Sequence, residues 1–111
     1  MTNASLSALK EYHPDIDKFS KFIEITEKFF QEKNLLLKEN EELFFNHLIS
    51  LIKRIEQNSQ TDSELIDLND FSDETKKLTE KFINKLQINI TEFEKMLLYI
   101  HFQKIIGGKN E

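Results

Sequence analysis

Two glycines and one proline in 111 residues leave this chain few means of making tight turns. A β-sandwich or barrel needs frequent turn punctuation, whereas this sequence offers long amphipathic stretches and ten phenylalanines to fill a core. The fold class is therefore all-α. With 39% hydrophobic and 32% charged residues, the chain has enough apolar surface to offset its conformational entropy. Its length suits one compact core and not two. We expect a single helical domain over 14–107, an irregular segment over 1–13 and a short tail over 108–111.

Four main helices follow from the apolar periodicity. Pro14 suits the first turn of a helix whose stripe runs Ile16, Phe19, Ile23 and Phe30, with Phe22, Thr26 and Phe29 beside it. The period lapses around Lys33–Leu37 and resumes from about Lys38 to Gln57 through Phe44, Leu48, Leu51 and Ile55, widened by Phe45, Ile49 and Ile52. A polar, cap-rich run, Asn58–Ser63, ends that helix, and Glu64–Phe71 has room for a short fifth helical turn. Ser72, followed by Asp73 and Glu74, caps a third main helix to Gln87, with Thr75, Leu78, Phe82 and Leu86 inward. Thr91-Glu92-Phe93-Glu94 has the form of a capping box and starts the last helix, which should end near Gly107-Gly108. Apolar residues spread around most of that helix, as expected of one central to a bundle or shared with a second subunit.

Composition also excludes functions. Without cysteine there is no disulfide frame, thiol nucleophile or thiolate metal site. A glycine-poor chain has neither a phosphate-cradling loop nor a Gly-x-Ser-x-Gly elbow, so we expect no enzyme and no cofactor. A net charge of -5, with no cluster of Lys and Arg among aromatics, argues against direct nucleic-acid binding. No segment approaches the roughly 20 apolar residues of a membrane span, and Met1–His13 lacks the form of a signal sequence. A soluble cytoplasmic protein is the expectation.

Two histidines stand inside apolar helical runs: His47 in Phe44-Phe45-Asn46-His47-Leu48-Ile49 and His101 in Leu97-Leu98-Tyr99-Ile100-His101-Phe102. A titratable ring among core-forming residues is costly unless it is paired or used. Each has a charged residue seven positions away, Arg54 after His47 and Glu94 before His101, within about 20° on the same helix face. Each also has a plain structural explanation. His47 fits a half-covered helix residue satisfied by backbone or water, Arg54 an exposed surface charge, and Glu94 a capping-box acid turned back to the Thr91 amide. His13, before Pro14, reads as a surface residue. A metal site would need His47, His101 and Glu94 to converge, and the His-x-x-x-His or Glu-x-x-His spacings that place two ligands on adjacent turns are absent.

The run Leu43-Phe44-Phe45-Asn46-His47-Leu48-Ile49 followed by Ile52-Lys53-Arg54 resembles the first histidine motif of the PTS regulation domain. Glu94 with Ile100-His101-Phe102 resembles that family's second motif, an acid seven residues before a Leu/Ile-His-Ile/Phe step. The resemblance covers about 15–106 and implies a five-helix bundle that dimerises with its histidines near the interface. It further implies phosphoryl transfer to His101 or His47 from the histidine-containing phosphocarrier protein or a sugar-transporter IIB component. Asn46 stands where the family usually has aspartate, which removes a negative neighbour that could tune His47. The segment between Asn58 and Ser72 looks shorter than the family's middle helix. Family members acting as antiterminators or activators join two such domains to a nucleic-acid-binding module. With one domain and no module, this chain would act through a protein partner such as a separate regulator. Two other readings stay open: a helical dimerisation or adaptor module without phosphoacceptor activity, and a small metalloenzyme.

Overall fold

The structure, a computed structural model, describes residues 1–62 and 70–109, with side chains described to residue 107. Five helices account for most of it: α1 (Asn3–Tyr12), α2 (Ser20–Glu32), α3 (Glu41–Glu56), α4 (Asp73–Leu86) and α5 (Glu92–Lys109). There is no strand among the described residues, in keeping with an all-α class. The fifth turn expected over 64–71 lies almost wholly outside the described residues.

The first correction falls at the N-terminus. Residues expected to be irregular form α1, opened by the Thr2 hydroxyl accepting from the Ser5 amide at 3.1 Å. Its apolar stripe is short, so periodicity is weak, but Leu9 is fully buried and the helix packs on α3. Pro14 ends α1 instead of beginning the next helix. It disfavours α geometry at the preceding residue, and His13 adopts φ -133 and ψ 81. A 3-10 turn, Ile16–Phe19, follows and buries both of its apolar ends, so α2 begins only at Ser20.

Asparagine takes the place of glycine at two helix ends. Asn34 and Asn58 adopt left-handed φ of 54° and 52°. The Leu35 amide then bonds the Phe30 carbonyl at 2.9 Å, and the Ser59 amide bonds the Arg54 carbonyl at 2.8 Å. Both are Schellman closures, a geometry that asparagine tolerates better than most residues. At the start of α4 the expected cap forms: Ser72 Oγ accepts from the Thr75 amide at 3.1 Å, with Asp73 and Glu74 in the first turn. α5 continues through Gly107 to Lys109, so the tail is shorter than expected.

Buried side chains from all five helices join one apolar cluster. At its centre Phe29 and Phe30 of α2, Phe44 of α3, Phe82 of α4 and Phe102 of α5 meet in a network of edge and stacked contacts. Phe30 lies nearly parallel to Phe102, with ring centroids 5.7 Å apart. These rings bring α3 against α5 and so set the register of the site described next. α5 is central on one side only: Met96, Leu98, Phe102, Ile105 and Ile106 are buried, while Phe93, Leu97 and Ile100 keep part of their surface in solvent. No helix among the described residues is long and apolar enough to cross a membrane.

Candidate functional site

Where α3 meets α5, the four charged or titratable residues singled out above pair across the helices. The rings of His47 and His101 stack with centroids 4.6 Å apart and planes 20° from parallel. Arg54 grips Glu94 through two hydrogen bonds, Nε to Oε2 at 2.7 Å and Nη2 to Oε1 at 2.8 Å. Moving seven residues up α3 therefore moves the partner seven residues down α5, which makes the helices antiparallel here. The seven-residue spacing within each helix thus separates two rungs of a ladder. It does not join a histidine to its neighbour on the same helix.

Glu94 departs from the capping-box explanation. The Thr91 hydroxyl does accept from the Glu94 amide at 3.2 Å, but the reciprocal bond is missing. The Thr91 amide goes to Gln60 Oε1 at 2.9 Å, and the Glu94 carboxylate, fully buried, takes Arg54 and the Thr61 amide at 3.1 Å. Burial pushes this carboxyl up, yet the hydrogen bonds from Arg54 and Thr61 and the guanidinium charge outweigh it, leaving its pKa below the ordinary value. The segment after α3 is stitched to the start of α5 by further bonds, Thr91 Oγ1 to the Thr61 carbonyl at 2.7 Å and Gln60 Nε2 to the Asn89 carbonyl at 3.1 Å. Glu94 is thus the junction of α3, that segment and α5.

The histidine rung is unsatisfied. Nδ1 and Nε2 of His47 are both buried, and neither has a hydrogen-bond partner among the described residues. Burial, then the neighbouring His101 and the Arg54 charge, lower the His47 pKa to about 4. Burial and Lys104 lower His101 as well. Both rings are therefore neutral near pH 7, each with one nitrogen lone pair unprotonated. Phe44 sets its edge against His101 at 5.8 Å, joining this rung to the aromatic core.

Asn46, expected as a companion of His47, turns elsewhere. Adjacent helical positions point about 100° apart, and the Asn46 amide faces the end of α1. There its Oδ1 lies 2.7 Å from Nε2 of His13. Nδ1 of His13 lies 2.9 Å from Lys53 Nζ, and Lys53 also pairs with Asp15 at 3.0 Å and sits over the Phe19 ring. Lys53 can only donate, so His13 accepts at Nδ1 and donates from Nε2 to Asn46. His13 is 7% exposed, which corrects the surface reading. The sequence signal for it was the His-Pro step, which stops α1 and turns the ring towards α3.

Among the described residues no group of three His, Cys, Asp or Glu side chains could hold a metal ion. Glu94 is committed to Arg54 and Thr61, not to the two rings. Comparison with protein-family models, curated proteins and solved structures found no match to this chain.

Proposed function

We propose that this chain is a stand-alone PTS regulation domain, an all-α and dimeric bacterial regulator that accepts a phosphoryl group on His101 or His47 and acts through a protein partner. The observation that carries this reading is the stacked His47–His101 pair, neutral and next to an arginine-carboxylate pair whose carboxylate is buried. A neutral imidazole has the lone pair needed to attack phosphorus, and the histidine-containing phosphocarrier protein or a sugar-transporter IIB component is the proposed donor. The new group carries up to about two negative charges. Arg54 is the nearby cation suited to it, because a guanidinium grips phosphate in the same two-pronged way as carboxylate. A phosphoryl group that draws Arg54 away leaves Glu94 buried with the Thr61 amide alone, and the strain passes into the stitched segment and the start of α5. Incubation with the phosphocarrier system and phosphoenolpyruvate should give acid-labile phosphate on the chain. Absence of label, or full label on the double variant His47→Ala/His101→Ala, overturns the proposal.

A second reading, a helical adaptor with structural histidines, is favoured by one observation: both ring nitrogens of His47 are covered. Under it, His47→Ala and His101→Ala alter stability, while partner binding does not respond to phosphorylating conditions.

A further inference from the structure

We propose that His47 and His101 form one phosphoacceptor site of capacity one: either ring takes a phosphoryl group, and the first occupant excludes the second. This rests on the phosphoacceptor reading above and adds a stoichiometry to it.

The rings are in contact, 4.6 Å between centroids and nearly parallel, so groups attached to both share one small volume between α3 and α5. On one side the pair is walled by the aromatic core. His101 is backed by the edge of Phe44, and His47 lies on the same helix as Phe44, whose ring is locked into the core against Phe30, Phe82 and Phe102. The charges acting on this pair are Arg54, Glu94 and Lys104. Arg54 and Glu94 neutralise each other at hydrogen-bonding distance, which leaves Lys104 as the uncompensated cation among the described residues. One dianion is met by that cation and by whatever share of Arg54 it takes from Glu94. A second dianion finds no further cation among the described residues. Even at the dielectric constant of water, repulsion between two dianions about 6–8 Å apart disfavours the second on the order of 30- to 100-fold.

The chemical step balances without a further reactant. A lone pair on one ring nitrogen attacks the phosphorus of a donor P–N bond and forms a new P–N bond. The donor P–N bond breaks, and the donor nitrogen leaves with its electron pair. The acceptor ring keeps its proton on the other nitrogen.

Phosphoramidate, a small donor that needs no protein partner, provides the test. The full chain is treated with it at mildly alkaline pH, alongside His47→Gln and His101→Ala. Intact mass counts the added groups, and peptide fragmentation assigns them to residues. The expected result is one phosphoryl group per wild-type chain over this pair, divided between the two rings, and one on the remaining histidine of each variant. Molecules phosphorylated on both His47 and His101 should stay below a few per cent while single occupancy approaches completion. A doubly modified wild type overturns exclusion. Label on only one of the two histidines, with the variant lacking it unlabelled at this pair, overturns it too, because one ring is then simply inert. No label on any of the three proteins overturns the phosphoacceptor reading itself and the inference with it.

Discussion

Two polar clusters flank the same helix, and they are finished differently. On one side of α3, His13 has a partner for each ring nitrogen, Asn46 and Lys53, and Lys53 has Asp15 in addition. On the other side, His47 is half-buried with both ring nitrogens covered, yet neither nitrogen has a partner among the described residues. A satisfied buried histidine recovers its desolvation cost through hydrogen bonds, whereas an unsatisfied one does not. The contrast assigns the first cluster to stability and makes the second the candidate for chemistry. Under the proposed function, burial alone does not separate the structural histidine from the phosphoacceptor. The partners do.

The comparison can be broken most forcefully at the lower rung. Replacing Arg54 with Met leaves the fully buried Glu94 without its cation, and this should cost about 3 kcal/mol or more of stability. Urea unfolding at neutral pH measures it, and the double variant Arg54→Met/Glu94→Leu should recover most of the loss. If the single variant is as stable as wild type, Glu94 is not the junction described above.

Next comes the pH dependence of the upper rung. The unfolded His47 ring binds its proton near 6.5 and the folded ring near 4, so between these values the unfolded state holds more protons. Stability should fall as the pH drops from about 6.5 to about 4 and level off below, by up to about 3 kcal/mol from this residue. His101, shifted in the same direction, adds to the slope. Urea midpoints at several pH values should show the trend, and His47→Gln should flatten it. An unchanged slope in that variant would assign the effect to other groups.

On the finished side, His13→Leu removes both bonds and leaves Asn46 Oδ1 and Lys53 Nζ to find other partners, at about 2 kcal/mol. Thermal unfolding reads this loss, while phosphate uptake should match wild type. The smallest effect belongs to Asn46→Asp, which keeps an acceptor for His13 and places its charge away from the His47 ring. Stability should change by less than about 1 kcal/mol, with labelling of His47 unaltered. A marked gain in His47 labelling would show that an aspartate at this position acts on the ring despite the direction taken here by Asn46.

Much of this architecture was legible in the chain. The stripe of α3, with Phe44, Leu48 and Leu51 buried, follows from period alone, and Ser72 caps α4 as its side-chain chemistry demands. α1 was not legible, because a helix held by little more than Leu6 and Leu9 has too short a stripe to show a period. The closures at Asn34 and Asn58 were obscured because asparagine marks loops as readily as helix ends.

The sequence by itself determined the all-α class, the main helices and the four residues of the candidate site, since local periodicity and capping depend on neighbours within a few positions. Only the tertiary structure decided who meets whom. Along one helix, His47 and Arg54 are about 10 Å apart, as are Glu94 and His101. It is the antiparallel packing of α3 on α5, set by the phenylalanine core, that stacks His47 on His101 and locks Arg54 to Glu94. The same packing turned Asn46 to His13, because a one-residue step on a helix changes the face, and the end of α1 occupies the face that Asn46 presents.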